Sequence, residues 1–185
     1  MKCIVTGHTG GIGKAVYDHF KSKRYDVIGM SRSNGYDIEK DQEKIINESL
    51  NCDIFVNCAC SGKGQLDLLN KLHDKVKYMI VFGSVSADFS RLSEEYQNKF
   101  ILQERCRELS INPNENIAKI LYLKLAFCEN ATLPIQINPE YITKFDDIVK
   151  IIDLWLEIPK ISFIGFVIKI TDDLTNYVKK TYSND

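Results

Sequence analysis

The sequence lacks any apolar run approaching the roughly 20 residues needed to cross a bilayer as a helix, which excludes a helical membrane span. It lacks a long basic run, and its formal net charge is −1, so no nucleic-acid footprint is present. Its first residues, Met-Lys-Cys-Ile-Val-Thr-Gly, carry neither the long apolar stretch nor the cleavage site of a secretory leader, and a cytoplasmic protein is expected. Histidine is scarce, with three in the chain. The six cysteines (Cys3, Cys52, Cys58, Cys60, Cys106 and Cys128) include one Cys-x-Cys pair, Cys58 and Cys60. No second pair or histidine cluster completes a zinc site, so no metal is expected and the cysteines read as free thiols of a reducing compartment.

What is present is ordinary for a soluble globular chain: 44% hydrophobic and 26% charged residues. A length of 185 residues suits one domain with a real core. Short apolar runs at 2–6, 26–31, 53–58, 77–83, 117–125 and 161–170 read as strands, with 35–38 a short strand or turn. Helical periodicity marks 13–22, 41–50, 66–73, 93–109 and 145–156. On the helix at 66–73 the stripe is Leu66, Leu69, Asn70 and His73; on that at 93–109, Phe100, Leu102, Cys106 and Leu109 supply the apolar face. The first and middle strands are apolar at nearly every position, as in a parallel sheet covered on both faces. Strand–helix alternation along the chain predicts one doubly wound α/β domain over residues 1–170, with a mostly parallel sheet of about six or seven strands. Residues 112–116 and 130–139 read as loops, and 171–185 as a polar tail.

The strongest signal is Thr6-Gly7-His8-Thr9-Gly10-Gly11-Ile12-Gly13, which follows a strand and opens a helix. Gly7 permits the tight turn, Gly10 or Gly11 lets backbone approach a pyrophosphate, and Gly13 lets the helix pack close to the strand. The helix N-terminus then offers unpaired N–H groups and a partial positive charge to phosphate. Gly7, Thr9, Gly10, Gly11, Ile12 and Gly13 are the expected dinucleotide cradle of a Rossmann-type fold.

These residues carry a family resemblance. Thr6-Gly7-x-x-x-Gly11-Ile12-Gly13 resembles the TGxxxGIG signature of the short-chain dehydrogenases/reductases. The same stretch, through Gly7, Gly10 and Gly13, also fits TGxxGxxG, which marks that family's longer, sugar-nucleotide-modifying branch; the short chain points to the first branch. Asp53-Ile54-Phe55-Val56-Asn57-Cys58-Ala59 is similar to the family's D-[IL]-x-V-N-N-A-G, with Cys58 and Cys60 replacing the second Asn and the Gly. The resemblance implies that Asn57 and Ala59 border the adenine side of a nicotinamide cofactor.

The second strand ends Gly29-Met30-Ser31-Arg32-Ser33, without the acidic residue that binds an NAD ribose hydroxyl. Arg32 can meet a 2′-phosphate through its planar fork, and Ser31 or Ser33 can add a hydroxyl. NADP(H) is the expected cofactor, ahead of NAD(H). Asp37 and Ile38 resemble the family's adenine-contacting pair.

The resemblance further implies interconversion of a carbonyl and an alcohol by a Ser, a Tyr and a Lys. An unperturbed tyrosine titrates at about 10, so a tyrosine working as general acid–base near neutrality needs a cation beside it. Ser84, closing the strand Val81-Phe82-Gly83-Ser84, matches the family's serine, with Ser86 two residues on. Tyr96 and Lys99 stand for the family's Y-x-x-x-K at one residue less. Side chains at i and i+3 still share a helix face. The one clean Y-x-x-x-K, Tyr17 to Lys21, lies on the first helix and reads as packing. Asn70 is a possible fourth member of the site. Leu125-Ala126-Phe127 replaces the family's Pro-Gly, and residues 128–144 stand where longer members carry a helical lid. An oxidoreductase acting on a small substrate is expected, or else a relative that binds the cofactor without turnover as a sensor or assembly partner. Phe100, Ile101, Leu102 and Leu109 give the helix at 93–109 more apolar surface than one sheet face needs, so a homodimer or homotetramer is expected.

Overall fold

Apolar residues on every position of a strand bury both of its faces, and this rule sets the centre of the molecule. The computed structural model describes residues 1–111, 116–129, 142–157 and 166–167. In chain order the main elements are β1 (Lys2–Thr6), α1 (Gly11–Ser22), β2 (Asp26–Met30), α2 (Gln42–Ser49), β3 (Ile54–Asn57), α3 (Gly62–Leu72), β4 (Tyr78–Ser84), α4 (Glu94–Ile111), β5 (Lys119–Leu125), β6 (Phe127–Cys128), β7 (Ile142–Thr143), α5 (Phe145–Glu157) and β8 (Phe166–Val167). Six strands form a parallel sheet in the order β2-β1-β3-β4-β5-β8, and β6 pairs with β7 in a small second sheet.

Strand periodicity divides the core into two layers. Ile4, Phe55, Met79, Val81, Ile120 and Tyr122 face α2, α3 and α4, where Ile45, Leu68, Leu72, Leu102 and Cys106 meet them. Cys3, Val5, Ile54, Val56, Ile80 and Leu121 face the other way, onto Val16 and Phe20 of α1 and Ile148, Ile152 and Trp155 of α5. Helices on both faces of a parallel sheet make the doubly wound α/β architecture that the alternation predicts.

Of the two forms expected for residues 35–38, a short strand or a turn, the structure has the turn: after β2 the chain makes a 3₁₀ turn (Arg32–Asn34), reverses at Gly35 (φ 80°) and runs as a loop into α2. Three local expectations change. Helix α1 opens two residues early, at Gly11. Helix α3 opens at Gly62, capped by Ser61, whose hydroxyl accepts from the Gly64 N–H at 3.2 Å. Its inward stripe is Gln65, Leu68, Leu69 and Leu72, while Asn70 is exposed and Leu66 and His73 are half-buried. On α4 the inward stripe is Lys99, Leu102, Cys106 and Leu109, and Phe100 turns outward. The tail at 171–185, the loop at 130–139 and most of the expected strand 161–170 lie outside the described residues.

The sheet order reverses direction between β1 and β3: the chain first steps from β1 out to β2, then returns to lay β3 on the other side. Ligands of open α/β sheets bind at such a switch point, beyond the carboxyl ends of the strands.

Candidate functional site

Thr6, the last residue of β1, builds the switch point. Its buried hydroxyl donates to the Val56 carbonyl at 3.1 Å and accepts from the N–H groups of Cys58 and Ala59 at 2.9 and 3.1 Å. One side chain thus ties the end of β1 to the turn after β3. The Gly7 N–H donates to Met30 O at 2.7 Å, tying the same turn to β2.

The glycines that follow differ in what they permit. Gly7 has φ 72°, and a Cβ there would lie 3.0 Å from the Ala59 Cα. At Gly13 a Cβ would lie 2.3 Å from the Gly7 carbonyl oxygen, so only glycine lets α1 sit against the turn. Gly11 has φ 51°. A Cβ at Gly10 or Gly11 would meet nothing within 4 Å, so the turn presents bare backbone to open space at the start of α1. His8 packs its ring on the Cα of Gly29, where a Cβ would come within 2.3 Å, and faces the Tyr17 ring with centroids 5.2 Å apart.

In front of this turn is a cleft of about 470 Å³, lined by Gly7, Thr9, Ser31, Arg32, Asp37, Ile38 and Ala59 among others. Its far wall is the loop after β2. Asn34 organises that loop: its Oδ1 accepts from the Ser31 N–H at 2.8 Å, and its Nδ2 donates to Gly29 O at 2.8 Å. The Ser31 and Ser33 hydroxyls are 2.8 Å apart. Arg32 is exposed on the rim and makes no ion pair among the described residues. Asp37 Oδ1 accepts from the Glu39 N–H at 2.9 Å, and Ile38 is buried beneath Gly64 of α3. The cleft also holds the exposed thiol of Cys60.

Seven of the twelve residues expected to hold a cofactor therefore line one cavity. Gly10, Gly11, Ile12 and Gly13 stand just behind it at the start of α1. Asn57 departs from expectation: it is fully buried and points into the seam under α3, where its Nδ2 donates to Gln65 O at 2.8 Å. Its Oδ1 is buried with no hydrogen-bond partner among the described residues.

The expected catalytic residues lie at the end of β4 and on α4. Ser84 ends β4 opposite Leu125 of β5, and its hydroxyl accepts from the Ser86 N–H at 3.2 Å, capping the 3₁₀ turn Val85–Phe89. Tyr96 is half-buried in the first turn of α4. Lys99 is 6% exposed, and its ammonium donates to Gln65 Oε1 at 2.6 Å. Gln65, 1% exposed, donates through Nε2 to the carbonyls of Asn57 and Phe82, each at 3.0 Å. Burial pushes the Cys58 thiol up to about 12, Cys60 and Cys128 add to the rise, and the Lys99 charge pulls against it. The lysine's field therefore reaches the end of β3. Nearby, the Lys124 ammonium pairs with Asp88.

Two residues named from sequence, Asn70 and Tyr17, have structural roles. Asn70 Oδ1 accepts from Arg105 Nε at 2.9 Å on the α3–α4 surface. Tyr17 and Phe20 pack in the layer beneath α1. Gln65 was not foreseen; its signal is an amide on a helical stripe that is otherwise leucine.

Residues 3–116 match the family model of the NAD dependent epimerase/dehydratase family. None of the curated proteins matches the sequence. Among solved structures, UDP-N-acetylglucosamine 4-epimerase from Bacillus cereus is similar at 19% identity and TM-score 0.67, over 100% of this chain and 86% of that one. A short-chain dehydrogenase from Streptomyces avermitilis is similar at 15% and 0.68, over 98% and 94%. The 3-alpha-hydroxysteroid dehydrogenase from Pseudomonas sp. B-0831, solved with NADH, is similar at 15% and 0.60, over 89% and 95%. At these identities the likeness is one of fold. The matching family model belongs to the branch that the short length argued against, and it agrees with the spacing of Gly7, Gly10 and Gly13. Among the described residues no helix is long and apolar enough to cross a membrane.

Proposed function

The chain belongs to the NAD dependent epimerase/dehydratase family, and from that premise we propose that it is an oxidoreductase that binds NADP(H) in preference to NAD(H) and interconverts a carbonyl and an alcohol on a small substrate. The observation that carries the reading is the cleft that brings the glycine turn after β1 and the Ser31-Arg32-Ser33 rim after β2 to one cavity.

The residues fit the cofactor. Bare backbone at Gly10 and Gly11 and the N-terminus of α1 suit a pyrophosphate. Arg32, with its fork unengaged by any carboxylate among the described residues, suits a ribose 2′-phosphate, and Ser31 and Ser33 add hydroxyl donors. Asp37, Ile38 and Ala59 border the space for the adenine. The Lys99 ammonium of α4 is held by Gln65, whose amide donates to the carbonyls of Asn57 at the end of β3 and Phe82 of β4. A bound nicotinamide dinucleotide supplies a two-electron redox group there. Tyr96 holds or releases the proton of the substrate oxygen, Ser84 donates a hydrogen bond to that oxygen, and the Lys99 charge favours the tyrosinate.

The test is consumption of NADPH with a panel of aldehydes and ketones, on wild type and on Tyr96→Phe. Turnover that falls at least about 100-fold in the variant, within the usual range for a general acid–base, supports the reading. A second reading, cofactor binding without turnover, is favoured by one observation: Lys99 is buried on Gln65, three residues after Tyr96 rather than four. NADPH binding with no turnover on any carbonyl selects it. On either reading the chain is a cytoplasmic homodimer or homotetramer, with the outward apolar side of α4 as the contact.

A further inference from the structure

A lysine whose ammonium is withdrawn from water needs a partner, and the place of that partner shows what the charge holds. Lys124, near the end of β5, is 8% exposed, and its ammonium pairs with the Asp88 carboxylate. Asp88 belongs to the 3₁₀ turn Val85–Phe89, the segment that leaves Ser84 and leads to Tyr96 on α4. The ion pair therefore ties β5 to the link between Ser84 and Tyr96. The register makes room for it. Lys124 is paired with Gly83 of β4, which carries no side chain. Tyr122, two residues earlier on the same face of β5, fills the space over that glycine: a Cβ at Gly83 would lie 1.9 Å from the phenol oxygen. Burial pushes the Tyr122 phenol up, and Cys106, Asp88 and Glu104 add to the rise. The phenol thus stays neutral, and the Asp88 carboxylate is near enough to act on it. The turn has two other holds. Val85 packs with Phe89 of the same turn and with Ala126 and Phe127, which follow β5. The Ser86 N–H donates to Ser84 Oγ at 3.2 Å, so a shift of the turn carries the serine hydroxyl with it.

We propose that Lys124 is a positioning residue: by gripping Asp88 it fixes the 3₁₀ turn on β5 and so sets the Ser84 hydroxyl against Tyr96 across the carbon–oxygen bond of the substrate. The proposal rests on the oxidoreductase reading above. Lys124 acts through Asp88 and the turn, and neither residue lines the dinucleotide cleft. An apolar pair of the same volume would hold the fold as well, because two charges lose hydration on burial. It would let the turn slide over Phe127, whereas the ion pair fixes a direction. Misplacement of reacting groups by about 1 Å can cost about 100-fold in rate.

The test is kcat and KM for carbonyl reduction by NADPH, with NADPH affinity from a separate titration. Lys124→Met keeps the packing of the stem, and the carboxylate it frees is on a side chain 37% exposed, which can reach water. Its kcat should fall by about tenfold to 100-fold, while NADPH affinity stays within about twofold. Lys124→Arg keeps the charge and should recover most of the lost turnover. Lys124→Met combined with Asp88→Leu leaves no charge unpaired. This double variant should unfold in urea at the wild-type midpoint or above and still show the low kcat, which separates placement from stability; it also carries the test if the single variant does not fold. Wild-type kcat in Lys124→Met, full activity in the double variant, or a fall in kcat matched by an equal loss of NADPH affinity would overturn the proposal. A wild type that reduces no carbonyl overturns the oxidoreductase reading and this role with it, whereas an active wild type equalled by Lys124→Met overturns the role alone.

Discussion

At the scale of single residues, the site rests on side chains whose hydrogen bonds cross between strands. Thr6 satisfies one carbonyl and two N–H groups from the β3 segment with a single hydroxyl. Thr6→Val keeps the shape and strands all three, at about 1–3 kcal/mol per unsatisfied group. Urea unfolding should show a lower midpoint with an unchanged m-value, and the variant should also bind nucleotide less well. Gly13→Ala should destabilise by about 1–3 kcal/mol, because its Cβ has no room against the Gly7 carbonyl. The two thiols of the Cys-x-Cys pair should behave differently. Cys58 is protonated near neutrality because burial holds it up at about 12, whereas Cys60 is exposed in the cleft. Alkylation at pH 8 should label Cys60 before Cys58, and saturating NADPH should slow the labelling of Cys60. Equal rates at the two thiols, or no protection, would contradict this placement.

At the scale of elements, the glycine turn, the strand–helix alternation and the doubly wound class were legible because each follows from short-range chemistry. A strand ending in Thr-Gly and a helix opening three or four residues later leave little choice of path. The segment after β2 was legible only as a choice between a short strand and a turn. Asn34 and Gly35 decide for the turn, before the run Gly35-Tyr36-Asp37-Ile38 can pair with β2. Helix α4 was misread: Phe100 is more apolar than Lys99, but Lys99 and not Phe100 shares the stripe of Leu102, Cys106 and Leu109. Sequence patterns weigh hydrophobicity and cannot see that Gln65 waits across the seam to receive an ammonium. The α1–α5 layer carries a testable clamp. Asp153 of α5 accepts from His19 Nε2 at 3.0 Å and pairs with Lys23 Nζ at 2.6 Å. Burial raises its carboxyl, but the hydrogen bonds and charges of His19 and Lys23 outweigh it and hold the group below its ordinary value. A folded-state pKa below the unfolded one means that the unfolded chain binds more protons in the intervening window, so stability rises with pH there. The clamp contributes fully above about pH 4 and is lost as pH falls through the folded-state value. The stability gap between wild type and Asp153→Asn, measured by urea unfolding, should be constant near neutrality and shrink below about pH 4. A gap that does not change with acid would show that the carboxylate charge is irrelevant to the clamp.

At the scale of the whole molecule, the outward side of α4 and the segment before it expose Leu92, Phe100 and Ile101, a contiguous apolar surface that a second copy of the chain can cover. Analytical ultracentrifugation should give a dimer or tetramer for wild type and a monomer for Phe100→Glu combined with Ile101→Lys. A monomeric wild type would remove the interface. The family is shown by the match over residues 3–116, and the proposed reaction needs a bound nicotinamide cofactor, so the central claim is the dinucleotide cleft itself. The measurement that tests it most directly is a fluorescence titration of NADPH and NADH on wild type and Arg32→Glu. Wild type should bind NADPH more tightly than NADH, and the loss in the variant should be confined to NADPH, because only that cofactor presents a 2′-phosphate to the guanidinium. Equal affinities that Arg32→Glu leaves unchanged would contradict the assignment of the rim, and no binding of either nucleotide would contradict the site.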